Sequence, residues 1–141
     1  MLIGNAVHNI DTKGRVVIPA KYREDLGLSV VAVKSVDGCI RVYPKASYEQ
    51  FLEKLRQGTA PMVKLRRKLI INAEELALDS QGRILISEET RLSVGIKDKV
   101  RMVGMIDWIE FWNEEELEKV NEANEMSPEE EMALMEQLGL A

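Results

Sequence analysis

One cysteine and one histidine are all that this 141-residue chain offers for thiol or imidazole chemistry. A single cysteine, Cys39, forbids a disulfide within the chain, and its apolar neighbourhood assigns it to packing. His8 has no cysteine or carboxylate cluster near it in sequence, so no metal site is expected. No apolar run approaches the roughly 20 residues that a bilayer-spanning helix needs, so no membrane partner is expected. Met1-Leu2-Ile3-Gly4-Asn5 has neither the basic start nor the apolar core of a secretory signal, and a cytoplasmic location follows as the expectation. Also missing are the phosphate-cradling G-x-x-x-x-G-K-S/T loop, the dinucleotide glycine pattern, the H-E-x-x-H zinc motif and the nucleophile elbow. The expectation is a protein that is not an enzyme, with no catalytic residue and no cofactor.

What is present is charge, unevenly placed. The net charge of −5 argues against an anionic partner until the chain is divided. Residues 1–73 hold 13 Lys and Arg against 6 Asp and Glu, a net of +7. Residues 74–113 carry 5 against 8, and residues 114–141 carry 1 against 10, for nets of −3 and −9. An acidic tail masks a basic N-terminal half, and charge per segment is the better guide to partners.

The chain also repeats itself. His8-Asn9-Ile10-Asp11-Thr12-Lys13-Gly14-Arg15-Val16-Val17-Ile18 matches Leu76-Ala77-Leu78-Asp79-Ser80-Gln81-Gly82-Arg83-Ile84-Leu85-Ile86 at an offset of 68 residues. Downstream, Arg23 aligns with Arg91, Leu26 with Val94 and Gly27 with Gly95. After a one-residue slip, Ile40-Arg41-Val42-Tyr43 aligns with Ile109-Glu110-Phe111-Trp112.

Each copy reads in the same order. A short alternating stretch (His8 and Ile10, or Leu76 and Leu78) predicts a strand. An Asp-x-x-Gly turn follows, then a run rich in β-formers, Val16-Val17-Ile18 or Ile84-Leu85-Ile86. Short helices are predicted from Ala20 to Leu26 and from Glu88 to Val94, each stopped by a glycine. A hairpin closes the unit, in the first copy turning at Asp37-Gly38. Between the copies, helices are predicted from Ala46 to Gln57 and from Met62 to Ile71, with Gly58 and Pro61 as breaks. The second of these carries Lys64, Arg66, Arg67 and Lys68, most simply a solvated face. After the second copy, Glu114 to Glu125 reads as a polar helix. Ser127-Pro128 starts a last short helix with Met132, Met135 and Leu138 on one face; it either packs on the body or frays. Trp108 and Trp112 share a face of the final strand and are expected to pack in a core or interface.

The candidate site is the doubled turn. Asp11 and Asp79 can accept backbone N–H groups, and Gly14 and Gly82 permit a positive φ. Arg15 and Arg83 leave the turn as forks suited to a phosphate or a guanine edge, with Lys13 and Gln81 at the tips. The bland alternative is that each Arg only pairs with its Asp. In the first copy, Lys13, Lys21 and Arg23 make the surroundings basic and weaken that alternative.

These residues resemble a known family. His8 to Arg15, Ile18-Pro19-Ala20-Lys21-Tyr22-Arg23, Asp37-Gly38-Cys39 and Val42-Tyr43-Pro44 are similar to the first half of MraZ proteins, and Glu74 to Ile86 to the second. The resemblance implies an α+β fold in which two swapped-hairpin, AbrB-like (SpoVT-AbrB) β units form an intrachain pseudo-dimeric barrel with connecting and C-terminal helices. The units would be residues 1–50 and 74–118, with a helical connector at 51–73 and an acidic helical tail at 119–141. It further implies a nucleoid-associated transcription regulator that binds double-stranded DNA at tandem promoter repeats, upstream of a cell-division and cell-wall gene cluster. The protein would do so as a ring-shaped homo-oligomer, an octamer or larger. On this resemblance the DNA-binding residues are Lys13, Arg15, Gln81 and Arg83. The second copy departs from the pattern at Gln81, Ser87, Glu88 and Glu89, so the first copy is expected to dominate DNA affinity. The competing expectation is an oligomeric scaffold without sequence-specific DNA binding.

Overall fold

A computed structural model describes residues 1–56 and 58–141. The first repeat supplies β1 (Leu2–Asn9), β2 (Arg15–Val17), α1 (Ala20–Leu26), β3 (Ser29–Lys34) and β4 (Ile40–Pro44). The connector holds α2 (Lys45–Lys54) and α3 (Ala60–Ile71). The second repeat supplies β5 (Ala73–Ala77), β6 (Arg83–Leu85), α4 (Glu88–Ser93), β7 (Lys99–Ile106) and β8 (Ile109–Trp112). Helices α5 (Glu114–Ala123) and α6 (Pro128–Gln137) end the chain.

Six strands form one antiparallel sheet in the order β1-β7-β8-β4-β3-β5. The two hairpins, β3–β4 and β7–β8, are local, and β4 joins them by pairing with β8. The outer strands cross over: β1 of the first repeat pairs with β7 of the second, and β5 of the second pairs with β3 of the first. Strands β2 and β6 leave this sheet and pair with each other as a separate two-stranded ribbon. The expected barrel is therefore not closed. Among the described residues the large sheet ends in two edges, β1 and β5, while the ribbon meets the chain just beyond β1 through an Ile10–Val16 bridge.

One core serves both repeats. Val16, Ile18, Leu26 and Val30 pack in the same cluster as Ile84, Ile86, Ile96 and Phe111. Side chains of both repeats line this cluster together. Cys39 is fully buried, and loss of hydration, reinforced by the negative charges of Glu110 and Asp37, pushes its thiol pKa up to about 12. Trp112 is buried and Trp108 half-buried, both donating indole N–H bonds to the buried Glu110, at 2.9 and 3.1 Å. Arg41 lies over the Trp108 ring at 4.6 Å. The tryptophans are packing residues, and Trp108 stands one residue before the strand.

Several boundaries differ from expectation. Strand β1 reaches back to Leu2, although Ile3, Gly4, Asn5, Ala6 and Val7 are exposed and show no alternation; pairing with β7, not a buried face, holds them. Pro61 does not break the connector but sits in the first turn of α3, where its missing N–H costs nothing. Helix α2 ends at Lys54, short of the expected Gln57, which lies outside the described residues. Helix α6 does not pack on the body: Ser127 accepts from the Glu130 N–H at 3.1 Å and caps it, and none of its residues is buried. No helix among the described residues is long and apolar enough to cross a membrane.

Candidate nucleic-acid interface

The two turns are built alike, bond for bond. Asp11 accepts from the Lys13 and Arg15 backbone N–H groups, each at 2.9 Å, through one carboxylate oxygen. Its other oxygen takes the Arg15 Nε–H at 2.7 Å. Asp79 repeats this with Gln81 N at 2.9 Å, Arg83 N at 2.8 Å and Arg83 Nε at 2.7 Å. The Arg15 and Arg83 backbone N–H groups respectively, opposed by partial desolvation and reinforced by the same residues' guanidinium groups, hold both carboxyls below the usual carboxylate range. Gly14 and Gly82 close the turns with φ of +86° and +75°, a region that a Cβ makes costly.

The expected Arg–Asp pairing is thus present, but it does not consume the arginine. A guanidinium has five N–H donors, and the Asp takes only the one on Nε. The bond orients the fork, and among the described residues its terminal nitrogens meet no other acceptor. Arg15 and Arg83 side chains keep 31% and 24% of their surface exposed. Exposed and held, they have lost part of the entropy that binding would otherwise cost.

The ribbon places the pair side by side. Val16 pairs with Ile84, and both are buried. Arg15 faces Leu85 and Val17 faces Arg83, and these four turn to the opposite, outer face. Lys13 and Gln81 stand exposed at the two turns. Of the four sequence-predicted site residues, Arg15 and Arg83 thus share the ribbon's outer face, and Lys13 and Gln81 stand in the turns at its two ends. With strands about 4.8 Å apart and a rise near 3.4 Å per residue, the two arginine Cα atoms lie roughly 8 Å apart.

Lys21 and Arg23, expected to add charge around the first turn, do something else. Lys21 Nζ lies 4.9 Å from the Tyr22 ring centre, close to Gly4 on β1. Arg23 reaches the opposite turn. Its Nε donates to Ile18 O at 2.9 Å and its Nη2 to Gln81 O at 3.4 Å, and a Cβ built on Gly82 would fall 2.3 Å from its Cζ. Arg91 reciprocates over Gly14, 3.0 Å from a Cβ built there, while donating to Ile86 O and Lys97 O at 3.3 and 3.2 Å. Each repeat thus seats an arginine on the other's turn. The alignment of Arg23 with Arg91 was the available signal; their crossing follows from the pairing of β2 with β6, which sets Ile18 against Gly82.

The departure at Ser87 also has a structural reason. Ser87 accepts from the Thr90 N–H at 3.3 Å and caps α4, while Glu74 accepts from the Ser87 and Thr90 hydroxyls. The second repeat spends these residues on its own helix.

A family model described as "MraZ protein, putative antitoxin-like" matches residues 1–64 and 69–137. A protein named transcriptional regulator MraZ from Caldanaerobacter subterraneus subsp. tengcongensis is 38% identical, over 92% of this chain and 93% of its own. Proteins of the same name from Lachnoclostridium phytofermentans and Syntrophomonas wolfei are 36% and 35% identical. They cover 84% and 99% of this chain, and 85% and 100% of their own length.

Proposed function

The chain belongs to the MraZ family of transcriptional regulators, and we propose that it binds double-stranded DNA sequence-specifically by laying its β2–β6 ribbon in the major groove. The single observation behind this reading is the outer face of the ribbon, where Arg15 and Arg83 are oriented by Asp11 and Asp79 with their terminal nitrogens open. A groove about 12 Å wide accepts a two-stranded ribbon, and an arginine fork matches the guanine O6 and N7 acceptors. Their separation of roughly 8 Å spans a little over two base-pair steps.

Affinity argues for assembly. One bidentate arginine–guanine pair supplies about 1–3 kcal/mol, and each neutralised phosphate about 0.9 in the log–log salt slope. Two arginines and Lys13 on one protomer give weak, salt-sensitive binding. A ring-shaped homo-oligomer of eight or more subunits, presenting the ribbon repeatedly to tandem promoter boxes, gains about 10²–10⁴ in avidity without new contacts. Such boxes would lie upstream of a cell-division and cell-wall gene cluster, in keeping with a cytoplasmic, nucleoid-associated regulator. The domain limits given above (1–50, 51–73, 74–118 and 119–141) form part of this reading, with exchange of β1 and β5 as the swapped-hairpin element.

Because the two turns share their geometry, asymmetry between them must come from Lys13 against Gln81. The first repeat then dominates affinity, and Arg15→Ala weakens binding more than Arg83→Ala. The acidic α5–α6 tail lies away from the DNA; Glu114, bonded to Arg101 on β7 at 2.5 Å, supports that placement. Deleting residues 114–141 leaves affinity unchanged or raises it. Gel shifts at physiological salt, comparing DNA upstream of the protein's own gene with random duplex, test the whole reading. Equal affinity for both duplexes would instead mark an oligomeric scaffold.

A further inference from the structure

Isolated exposed apolar side chains are ordinary and call for no explanation. Val17 and Leu85 are not isolated. They occupy the same position in the two repeats, 68 residues apart, and are 43% and 49% exposed. Val17 sits directly across the ribbon from Arg83, and Leu85 from Arg15. The ribbon's outer face is thus four residues in a block, arginine and aliphatic alternating both along each strand and across the pair. Their strand neighbours Val16 and Ile84 supply the core contact, so folding does not require large aliphatics on the outer side. Lysine or threonine there would be better hydrated.

Resting on the DNA reading above, we infer that Val17 and Leu85 determine sequence preference by packing on the C5-methyl groups of thymines next to the guanines that the arginines bind. In the major groove the thymine methyl is the apolar feature of a base edge, and an aliphatic side chain is its natural complement. Directly opposed residues have Cβ atoms about 4.5–5.5 Å apart, so an arginine and its cross-strand aliphatic reach neighbouring base pairs. Each ribbon end then reads one guanine beside one thymine. The near-symmetry of Arg15–Leu85 and Arg83–Val17 makes the preferred site contain that adjacency twice.

The test removes only the methyl. The tightest-binding duplex is selected from a random pool and resynthesised with deoxyuridine in place of thymidine. Fluorescence anisotropy with the full-length protein is expected to show a loss of about fourfold per contacted methyl, the worth of one buried methyl-sized group. Val17→Ala and Leu85→Ala each bind the thymidine duplex more weakly and lose part of that sensitivity; the double variant loses it. If alanine unsettles the ribbon, Leu85→Gln keeps side-chain length and is expected to lose methyl sensitivity at its end of the site, while Val17→Thr, which keeps one methyl, is expected to retain part of it. Equal wild-type affinity for both duplexes, or full methyl sensitivity in the double variant, overturns the assignment. Arg15→Ala separates the two levels. If it binds like the wild type, the ribbon reading itself fails. If it loses binding while deoxyuridine is silent, only the methyl contact fails.

Discussion

Replacing Gly82 with alanine tests the crossed arginines directly. Alanine at a φ of +75° costs about 1–2 kcal/mol of backbone strain. The added methyl would also stand 2.3 Å from Arg23 Cζ and Nε, so Arg23 must leave. Leaving surrenders its bonds to Ile18 O at 2.9 Å and Gln81 O at 3.4 Å. One is long and the site is only partly buried, so these are worth about 1–2 kcal/mol together. Gly82→Ala is therefore expected to cost about 2–4 kcal/mol, and Arg23→Ala about 1–2 kcal/mol. Gly38 supplies the control, with a φ of +98° and nothing within 4 Å of its added Cβ. Gly38→Ala should cost strain alone, about 1–2 kcal/mol.

The decisive variant is Gly82→Ala combined with Arg23→Ala. The arginine can be lost only once, so the double variant should cost no more than Gly82→Ala, about 1–2 kcal/mol less than the sum of the single changes. Urea denaturation followed by circular dichroism measures this, at one fixed protein concentration because association shifts apparent stability. Additive costs, within about 0.5 kcal/mol, would refute the seating of Arg23 over Gly82. The Gly14–Arg91 pair should show the same sign with a smaller deficit, since a shift of a few tenths of an ångström relieves its 3.0 Å approach.

Three further outcomes are expected. Gly104→Ala should be more damaging than Gly82→Ala, because its Cβ would meet the backbone of Leu2 and Ile3 at 2.6 Å and push β1 off β7; a denaturation midpoint above that of Gly82→Ala would contradict this. Cys39, fully buried and with its thiol pKa near 12, exposes only about one thiolate in ten thousand at pH 8. Its reaction with a thiol reagent should therefore await global unfolding, and labelling at the rate of a free thiol would contradict the burial. Asp11 and Asp79 have lowered folded-state pKa values, so their contribution to stability is present above the ordinary value of about 3.9 and is lost as pH falls through the folded values. Carboxyl-carbon NMR titration should place both midpoints below about 3.9, and midpoints at or above it would break the turn model.

Local chemistry made much of this molecule legible and long-range pairing did not. The turns were readable because Asp, Gly and Arg at fixed spacing each do a local job, and the structure gives all three jobs to those residues. Helix α1 and the Asp37-Gly38 hairpin followed from a glycine stop and a turn pair. The length of β1 was hidden because its middle residues are exposed and hold their place through β7, nearly a hundred residues away. The role of Arg23 was hidden for the same reason. As a sequence position it adds charge to its own turn, whereas the pairing of β2 with β6 delivers it to the other one. A run of β-formers such as Val16-Val17-Ile18 or Ile84-Leu85-Ile86 carries no sign of which residues point outward. Only the burial of Val16 and Ile84 settles the phase.

Joining both repeats in one chain changes what the ribbon can become. Two identical chains would place the same residue at both tips, so any gain at one end would be copied at the other. Here one tip carries Lys13 and the other Gln81, and the second repeat has turned Ser87 and Glu74 to capping its own helix. Yet the two ends remain mechanically tied, because Arg23 and Arg91 each rest on the turn contributed by the other repeat. Divergence is therefore free at the exposed tips and constrained at the buried glycines beneath them. Altering Lys13 or Gln81 should tune binding with little effect on folding. Altering Gly14, Gly82, Arg23 or Arg91 should disturb both ends of the ribbon together.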